Sequence, residues 1–311
     1  MRHSRQRDAN RVGALYLFGK QLWHNEMMAE RNASDNDIPI WVLDTVTKPK
    51  PKHAGSVILA GSHGGVYAGY LAASAGPRGI ILNDAGVGRD KAGIGSLDYL
   101  QDLGIAAATV AHSTGSIGDG EDMLSRGVIS YTNAAAGAVG CAVGEPAVDC
   151  ARKMRAAPAF EGSAPAHSEG RYKFRAELWE AEIWGLDSAS LLIPEDAGRV
   201  VIIGSHGAIL ATNRASGQAI YQPVRAAVFH DAGVGRNRAG ISRLPVMDEQ
   251  GVAGATVGHE SARIGDARSI WNTGMISHVN ELAAAWGARA GMSCQEFAIG
   301  SLRRRLGKWL L

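Results

Sequence analysis

Short runs of aliphatic residues alternate with glycine-rich loops and helix-compatible stretches along most of the chain. In the first half these runs occupy residues 40–44, 56–65, 79–84, 106–113 and 128–133. Four or five consecutive aliphatic residues are typical of strands buried on both faces, as in parallel sheets. Strands that alternate with helices require right-handed crossovers between parallel neighbours. The pattern therefore predicts an α/β fold with mainly parallel sheets.

The same pattern occurs twice. Residues 83–94 read NDAGVGRDKAGI and residues 230–241 read HDAGVGRNRAGI, and nine of the eleven residues from Asp84 and from Asp231 onward are identical. Strand-like runs before this motif match at an offset of 143 residues and later ones at 147, so the second copy carries four extra residues. This self-similarity predicts an internal duplication, with two tandem α/β units related by a pseudo-twofold axis. One continuous sheet or a closed barrel is the alternative architecture.

The repeat divides the chain into four parts. Residues 155–179 are rich in Ala, Pro, Ser and Gly and break the pattern, which is typical of a linker. The predicted parts are an N-terminal extension (1–36), a first α/β unit (37–154), this linker (155–179) and a second α/β unit with a basic C-terminal tail (180–311).

Charge and cysteine usage narrow the class of partner. The formal net charge of +2 is too small to indicate nucleic-acid binding. The three cysteines show no CxxC or CxxH spacing, so neither a disulfide framework nor a thiolate zinc site is indicated. No apolar run reaches the length of a membrane helix. We expect a cytoplasmic protein with a small-molecule substrate, without nucleic-acid or membrane partners, and with homo-oligomer formation left open.

Polar residues of both copies fall at or just past the C-terminal ends of the predicted strands. They are Ser62, His63, Asp84, His112 and Ser130 in the first copy, and Ser205, His206, Asp231, His259 and Ser277 in the second. Ligands of open α/β sheets bind along that edge, because strand ends and helix N-termini converge there. We therefore predict that the catalytic groups are His63, Asp84, His112, His206, Asp231 and His259.

Substrate-binding candidates lie in the loops behind these strand ends. Backbone amides of Gly64 and Gly65, at the start of a predicted helix, are suited to an anionic group. Arginine guanidinium groups bind carboxylates in bidentate fashion. The predicted substrate-binding residues are Ser62, Gly64, Gly65, Arg89, Ser205, Arg236 and Arg263.

Several of these motifs also have a structural interpretation. The Gly-Ser-His-Gly segments fit tight turns better than an anion-binding role. Asp84 and Asp231 are as well suited to binding the amides of their own glycine-rich loops as to catalysis. Asp119 and Asp266 fit helix N-caps better than catalytic roles. Asn133 and Asn280 fit the same capping role.

The histidine and aspartate set favours hydrolysis of an amide or ester bond in a small, carboxylated molecule. One route is metal-assisted, with Zn²⁺ or Mn²⁺ held by His63, Asp84, His112 and Asp119. The other is general acid–base catalysis by histidines oriented by aspartates. Two alternatives use the same residues: a non-catalytic binding protein for a small anionic metabolite, and a lyase or isomerase that transfers a proton.

Differences between the copies bear on the number of sites. Asn83 is replaced by His230, and Ser116 is replaced by Arg263. Two independent, equal sites would tolerate such changes only outside them. We therefore predict one composite or dominant site near the meeting of the two halves.

Overall fold

The computed structural model describes residues 38–47, 50–174 and 182–303. The predicted N-terminal extension, residues 1–36, and the end of the basic tail, residues 304–311, lie outside the described residues. Among the described residues, no helix combines the length and apolar character needed to cross a bilayer.

The first sheet has five strands in the order β1-β2-β3-β4-β5. The strands are β1 (Ile40–Leu43), β2 (Val57–His63), β3 (Gly79–Asn83), β4 (Ala106–Val110) and β5 (Ile129–Thr132). The first four are parallel, and β5 runs antiparallel to β4. Every residue of β3 and β4 is buried, which explains their unbroken aliphatic sequences.

The second sheet has six strands in the order β11-β10-β9-β8-β7-β6. The strands are β6 (Arg171–Phe174), β7 (Ile183–Leu186), β8 (Val200–His206), β9 (Ala226–His230), β10 (Ala253–Val257) and β11 (Ile276–Val279). Strands β7 to β10 are parallel, while β6 and β11 are antiparallel edge strands. Strand β6 lies within the segment predicted as a linker, so part of that segment extends the second sheet.

Helices cover both faces of each sheet. In the first half they are α1 (Val66–Ala73), α2 (Ser96–Asp102), α3 (Gly120–Arg126), α4 (Ala134–Ala138) and α5 (Ala147–Met154); in the second they are α6 (Arg243–Glu249), α7 (Ala267–Thr273), α8 (Glu281–Ala285) and α9 (Cys294–Arg303). A 3₁₀ helix, Ala211–Ser216, occupies the place in the second half that α1 has in the first. The copies therefore differ in structure where their sequence offset changes.

Four apolar clusters fill the two faces of the two sheets. A fifth, smaller cluster combines residues of both halves, among them Ala85 and Ile117 from the first and Ala232 and Ile264 from the second. The protein is thus an α/β fold with two separate, mainly parallel sheets, as predicted, and not the single sheet or closed barrel of the alternative.

Candidate functional site

The two repeated loops meet at the first glycine of each motif. Gly86 and Gly233 have positive φ angles of 80° and 73°. A Cβ atom built on Gly86 would lie 2.9 Å from the Cα of Gly233 and 2.9 Å from Cδ2 of His259. One built on Gly233 would lie 2.7 Å from Cδ2 of His112. Each loop therefore packs against the histidine of the other half, and only glycine fits at the crossing.

Backbone hydrogen bonds also join each loop to the other half. The amide of Arg89 donates to the carbonyl of His259 at 2.9 Å, and the amide of Arg236 donates to the carbonyl of His112 at 2.8 Å. Because each bond joins a loop of one half to a strand end of the other, the C-terminal edges of the two sheets face each other. The predicted site residues near this edge consequently belong to one region.

Both loops hold side-chain-bearing residues in the left-handed region. These residues are Ala85, Val87, Asp90 and Lys91 in the first loop and Ala232, Val234, Asn237 and Arg238 in the second. Left-handed backbone is unusual for any of them and most unfavourable for the β-branched valines. Strain of this kind persists where surrounding contacts enforce it, and it concentrates at binding and catalytic sites.

In the first half, Asp84 and His112 form a hydrogen-bonded pair. The Oδ1 atom of Asp84 lies 2.9 Å from Nδ1 of His112 and also accepts the His112 amide at 2.9 Å and the Gly86 amide at 3.0 Å. Although burial disfavours the charged form, these bonds hold the pKa of Asp84 below its ordinary value. The pair thus combines a buried carboxylate with an imidazole whose side chain is 30% exposed.

The second half repeats the pair in a looser form. Nδ1 of His259 lies 3.3 Å from Oδ1 of Asp231, close enough for an ion pair but without hydrogen-bond geometry. The Asp231 carboxylate raises the pKa of His259 against the opposing effect of burial. The imidazole centroids of His112 and His259 are 6.4 Å apart. Two His–Asp couples, Asp84–His112 and Asp231–His259, therefore face each other between the sheets.

His63 and His206 also meet between the halves, with ring centroids 6.5 Å apart. Nδ1 of His63 accepts the Gly65 amide at 3.1 Å, and Nδ1 of His206 accepts the Ala208 amide at 3.3 Å. Burial lowers the pKa of His63 to about 4 and that of His206 well below its ordinary value. Both rings are neutral turn-stabilising groups at neutral pH, and their catalytic role stays a prediction.

The serine and glycine candidates have partners within the protein. The Ser62 hydroxyl accepts the Val46 amide at 3.0 Å, and the Ser205 hydroxyl accepts the Ala189 amide at 3.2 Å. The Gly64 amide donates to the Asn83 carbonyl at 2.7 Å, and the Gly65 amide donates to His63. The anion site predicted at these two amides is therefore not formed, because the turn itself uses both donors.

The arginine candidates are distributed unequally. A cleft of about 350 Å³, which we call the arginine cleft, is lined by Arg89, Asp90, Arg263, Asp266, Arg268, Ser269, Asn272 and Thr273. Arg89 links this cleft to the Asp231–His259 couple, because its backbone amide donates to the His259 carbonyl. Arg236 instead lies 3.5 Å from the Asp122 carboxylate. A larger cleft of about 500 Å³ shares Asp90 with the arginine cleft, and the lining of neither cleft includes a histidine.

The proposed metal ligands of the histidine site do not converge. Among the described residues, His63, Asp84, His112 and Asp119 provide no group of three ligand atoms close enough for one ion. Asp119 caps α3 by accepting the Asp122 amide at 3.0 Å and pairs with Arg214 at 3.0 Å. Its counterpart Asp266 caps α7, so the N-cap interpretation of both aspartates is confirmed.

Asn133 and Asn280 cap their helices as expected, and each also bonds the backbone of the neighbouring strand. Ser130 lies at the predicted edge for a different reason. It belongs to the antiparallel strand β5, so its position near the strand's N-terminus places it beside Thr109, with the two hydroxyl oxygens 3.0 Å apart.

Sequence reasoning missed Arg268, which lines the arginine cleft. Its position in α7 follows no strand end, and its counterpart in the first half is Glu121, so the repeat carried no signal for it.

Comparison of the chain with protein-family models, curated proteins and solved structures found no match.

Proposed function

We propose that the protein is a hydrolase that cleaves an amide or ester bond in a small carboxylated molecule by general acid–base catalysis. The observation that carries this proposal is the pair of His–Asp couples, Asp84–His112 and Asp231–His259, whose imidazoles face each other at 6.4 Å. Two imidazoles at this separation can address opposite sides of one scissile bond.

We assign His112 as the general base. Asp84 accepts the proton of Nδ1, which fixes the tautomer and leaves a lone pair on Nε2. This nitrogen removes a proton from water as the water oxygen attacks the carbonyl carbon. We assign His259 as the general acid, because Asp231 raises its pKa and so keeps more of the ring in the imidazolium form that can give a proton. The imidazolium gives its proton to the leaving nitrogen or oxygen, and solvent restores both protonation states.

The arginine cleft supports a carboxylated substrate. Arg89 and Arg263 both line it, and Arg89 is joined through its backbone to the strand end that carries His259. A substrate carboxylate bound there would lie beside the loop whose Arg89 amide is bonded to the His259 carbonyl. We infer a single dominant site on this side of the protein.

The site also supports an evolutionary proposal. Reciprocal bonds from Arg89 to His259 and from Arg236 to His112, together with the contact of Gly86 with Gly233, are what a pseudo-twofold axis at this crossing requires. We propose that a duplication produced two related units and that their later divergence made one cleft basic. The three free cysteines agree with the proposed cytoplasmic location.

A proton-transferring lyase or isomerase is the second candidate. The observation that favours it is the pair of facing imidazoles of His112 and His259, 6.4 Å apart, which can each give or take a proton. The same two imidazoles would then exchange protons with substrate carbon. Transfer of solvent deuterium into unhydrolysed substrate distinguishes this reaction from hydrolysis.

The test is a panel of small amides, lactams and esters that carry a carboxylate, assayed with the full chain. We expect His112→Ala to lower kcat on the responsive substrate by about 10²–10⁴-fold with little change in KM, as for loss of a general base. His167→Ala is the matched control, because His167 is exposed and outside the site. Unchanged kcat in both His112→Ala and His259→Ala would refute the proposal.

A further inference from the structure

A second group of reactive side chains lies near the C-terminal end of the first half, later in the sequence than Asp84 and His112. Cys141, Glu145 and Cys150 bring two sulfur atoms and a carboxylate oxygen within 4.8 Å of one another, and no other group of three such ligands occurs among the described residues. Cys150 is fully buried and Cys141 is 6% exposed. Cys141 and Glu145 precede α5, and Cys150 lies within it.

We propose that Cys141, Glu145 and Cys150 bind a zinc ion that joins the loop before α5 to that helix. Thiolate and carboxylate ligands of tetrahedral zinc lie about 2.0–2.3 Å from the metal, which places them about 3.5–3.8 Å from one another. The observed cluster approaches this spacing, so small side-chain rotations complete it. A water molecule fills the fourth position.

Charge at this cluster is balanced by a fourth residue. The Lys153 ammonium group forms an ion pair with Glu145. Two thiolates and a carboxylate carry three negative charges, which a divalent ion and one ammonium group neutralise. Because buried charge is costly unless it is paired, this balance favours a divalent ion over a bare thiolate pair. The Glu145 carboxylate is also oriented by the Ala142 amide at 3.0 Å.

The second half provides an internal comparison. Backbone bonds match at the 147-residue offset: Ile129 donates to the Glu145 carbonyl at 2.9 Å, and Ile276 donates to the Met292 carbonyl at 2.8 Å. At this offset, the counterparts of Cys141, Glu145, Cys150 and Lys153 are Ala288, Met292, Phe297 and Gly300.

Three of these counterparts, Ala288, Met292 and Phe297, pack into the apolar core of the second half. All three ligands and the neutralising lysine are thus replaced together. A disulfide would explain a joint change of the two cysteines but not of Glu145 and Lys153. The joint replacement therefore favours a metal ion.

This site differs from the sequence-based expectation that the cysteines form no thiolate zinc site. The spacing is C-x₃-E-x₄-C, in which a glutamate stands between the cysteines and no CxxC unit occurs. Only the turn between α4 and α5 brings the three residues together. The proposed ion has a structural role and is independent of the His–Asp chemistry.

The test uses the full chain, stripped of metal and then titrated with Zn²⁺ under reducing conditions. We expect about one equivalent to bind and to raise Tm, because metal binding to the folded state adds to stability. With Co²⁺ in place of Zn²⁺, we expect thiolate-to-metal charge-transfer absorption. Cys141→Ala/Cys150→Ala should lose both signals.

Two further variants keep the test decisive if the double variant folds poorly. Lys153→Met leaves the core intact and should weaken zinc binding by about 10–100-fold, as for loss of a group that supports metal ligands. Cys294→Ala is the control, because Cys294 is a buried free cysteine outside the cluster, and it should retain the equivalent of zinc. The proposal would be overturned if the unmodified chain bound no zinc or if the double variant still bound it. Loss of zinc binding in Cys294→Ala would also overturn it. So would a Cys141–Cys150 disulfide in the isolated protein.

Discussion

His230 shows how a difference between the copies can preserve a structural role. Asn83 accepts the Ala85 amide at 2.9 Å and donates to the Gly115 carbonyl at 3.0 Å. His230 accepts the Ala232 amide at 3.1 Å through Nδ1, and its Nε2 contacts the Ala262 carbonyl at 3.1 Å. The imidazole performs the same two tasks as the amide. This replacement therefore provides no evidence that the two halves have unequal sites.

The imidazole differs from the amide in being titratable. Burial lowers the pKa of His230 to about 4. Between that value and the ordinary pKa of about 6.5, the unfolded chain binds a proton that the folded chain excludes, so the free energy of unfolding falls as pH falls through this range. We expect the free energy of unfolding to fall on acidification from about pH 7 to about pH 4.5 in both proteins. The fall should be about 2 kcal/mol smaller in His230→Asn than in the unmodified chain.

Urea denaturation at the two pH values measures this difference. His167→Asn is the control for removal of a histidine, because His167 is exposed on the surface. Equal losses in His230→Asn and the unmodified chain would show that His230 is protonated without cost in the folded protein.

At the scale of elements, the central parallel strands could be predicted, because each is an unbroken aliphatic run. The direction of β5 and β11 could not, since short edge strands carry no sequence mark of the neighbour they pair with. Nor could the left-handed backbone at Ala85 and Val87, which their local preferences oppose.

The site follows the same division between local and long-range information. The placement of Asp84 and His112 at strand ends predicted that they would meet, and their Nδ1–Oδ1 contact agrees with that prediction. Their approach to the second half depends on the loop crossing at Gly86 and Gly233, which no local pattern specifies. The same limit hid the metal-ligating spacing of the cysteine cluster.

The loop crossing gives a matched pair of substitutions. Gly86 has a φ angle of 80° with the other loop in contact, whereas Gly140 has a φ angle of 85° and no atom within 4 Å of a Cβ. Both alanine substitutions incur the left-handed penalty of about 1–2 kcal/mol. We expect Gly86→Ala to lower the free energy of unfolding by about 1–3 kcal/mol more than Gly140→Ala does, because the new methyl group overlaps Gly233 and His259.

Chemical denaturation of both variants tests this expectation, and the Gly140→Ala value corrects for the backbone contribution. If the two variants were equally destabilised, the close contact between the loops would contribute nothing to stability. The crossing would then not fix the relative position of the two His–Asp couples.

At the scale of the whole molecule, the two halves differ in charge beside the crossing. Arg89, Arg263 and Arg268, with Asp90 and Asp266, give one cleft a formal charge of +1. The counterparts at the 147-residue offset are Arg236, Ser116, Glu121, Asn237 and Asp119, with a formal charge of −1. Positions related by the repeat therefore carry formal charges of opposite sign.

This difference predicts that only one side binds an anion. We expect Arg89→Met to weaken the binding of succinate, used as a probe and followed by calorimetry, by about 10–100-fold, the effect of losing a charged hydrogen bond. Arg236→Met should leave the affinity unchanged, because Arg236 lies beside the Asp122 carboxylate, which already neutralises its charge. A stoichiometry of two, or equal weakening by both substitutions, would show that the halves act as equivalent binding units. One succinate per chain, sensitive to Arg89 alone, is the result that a single dominant site requires.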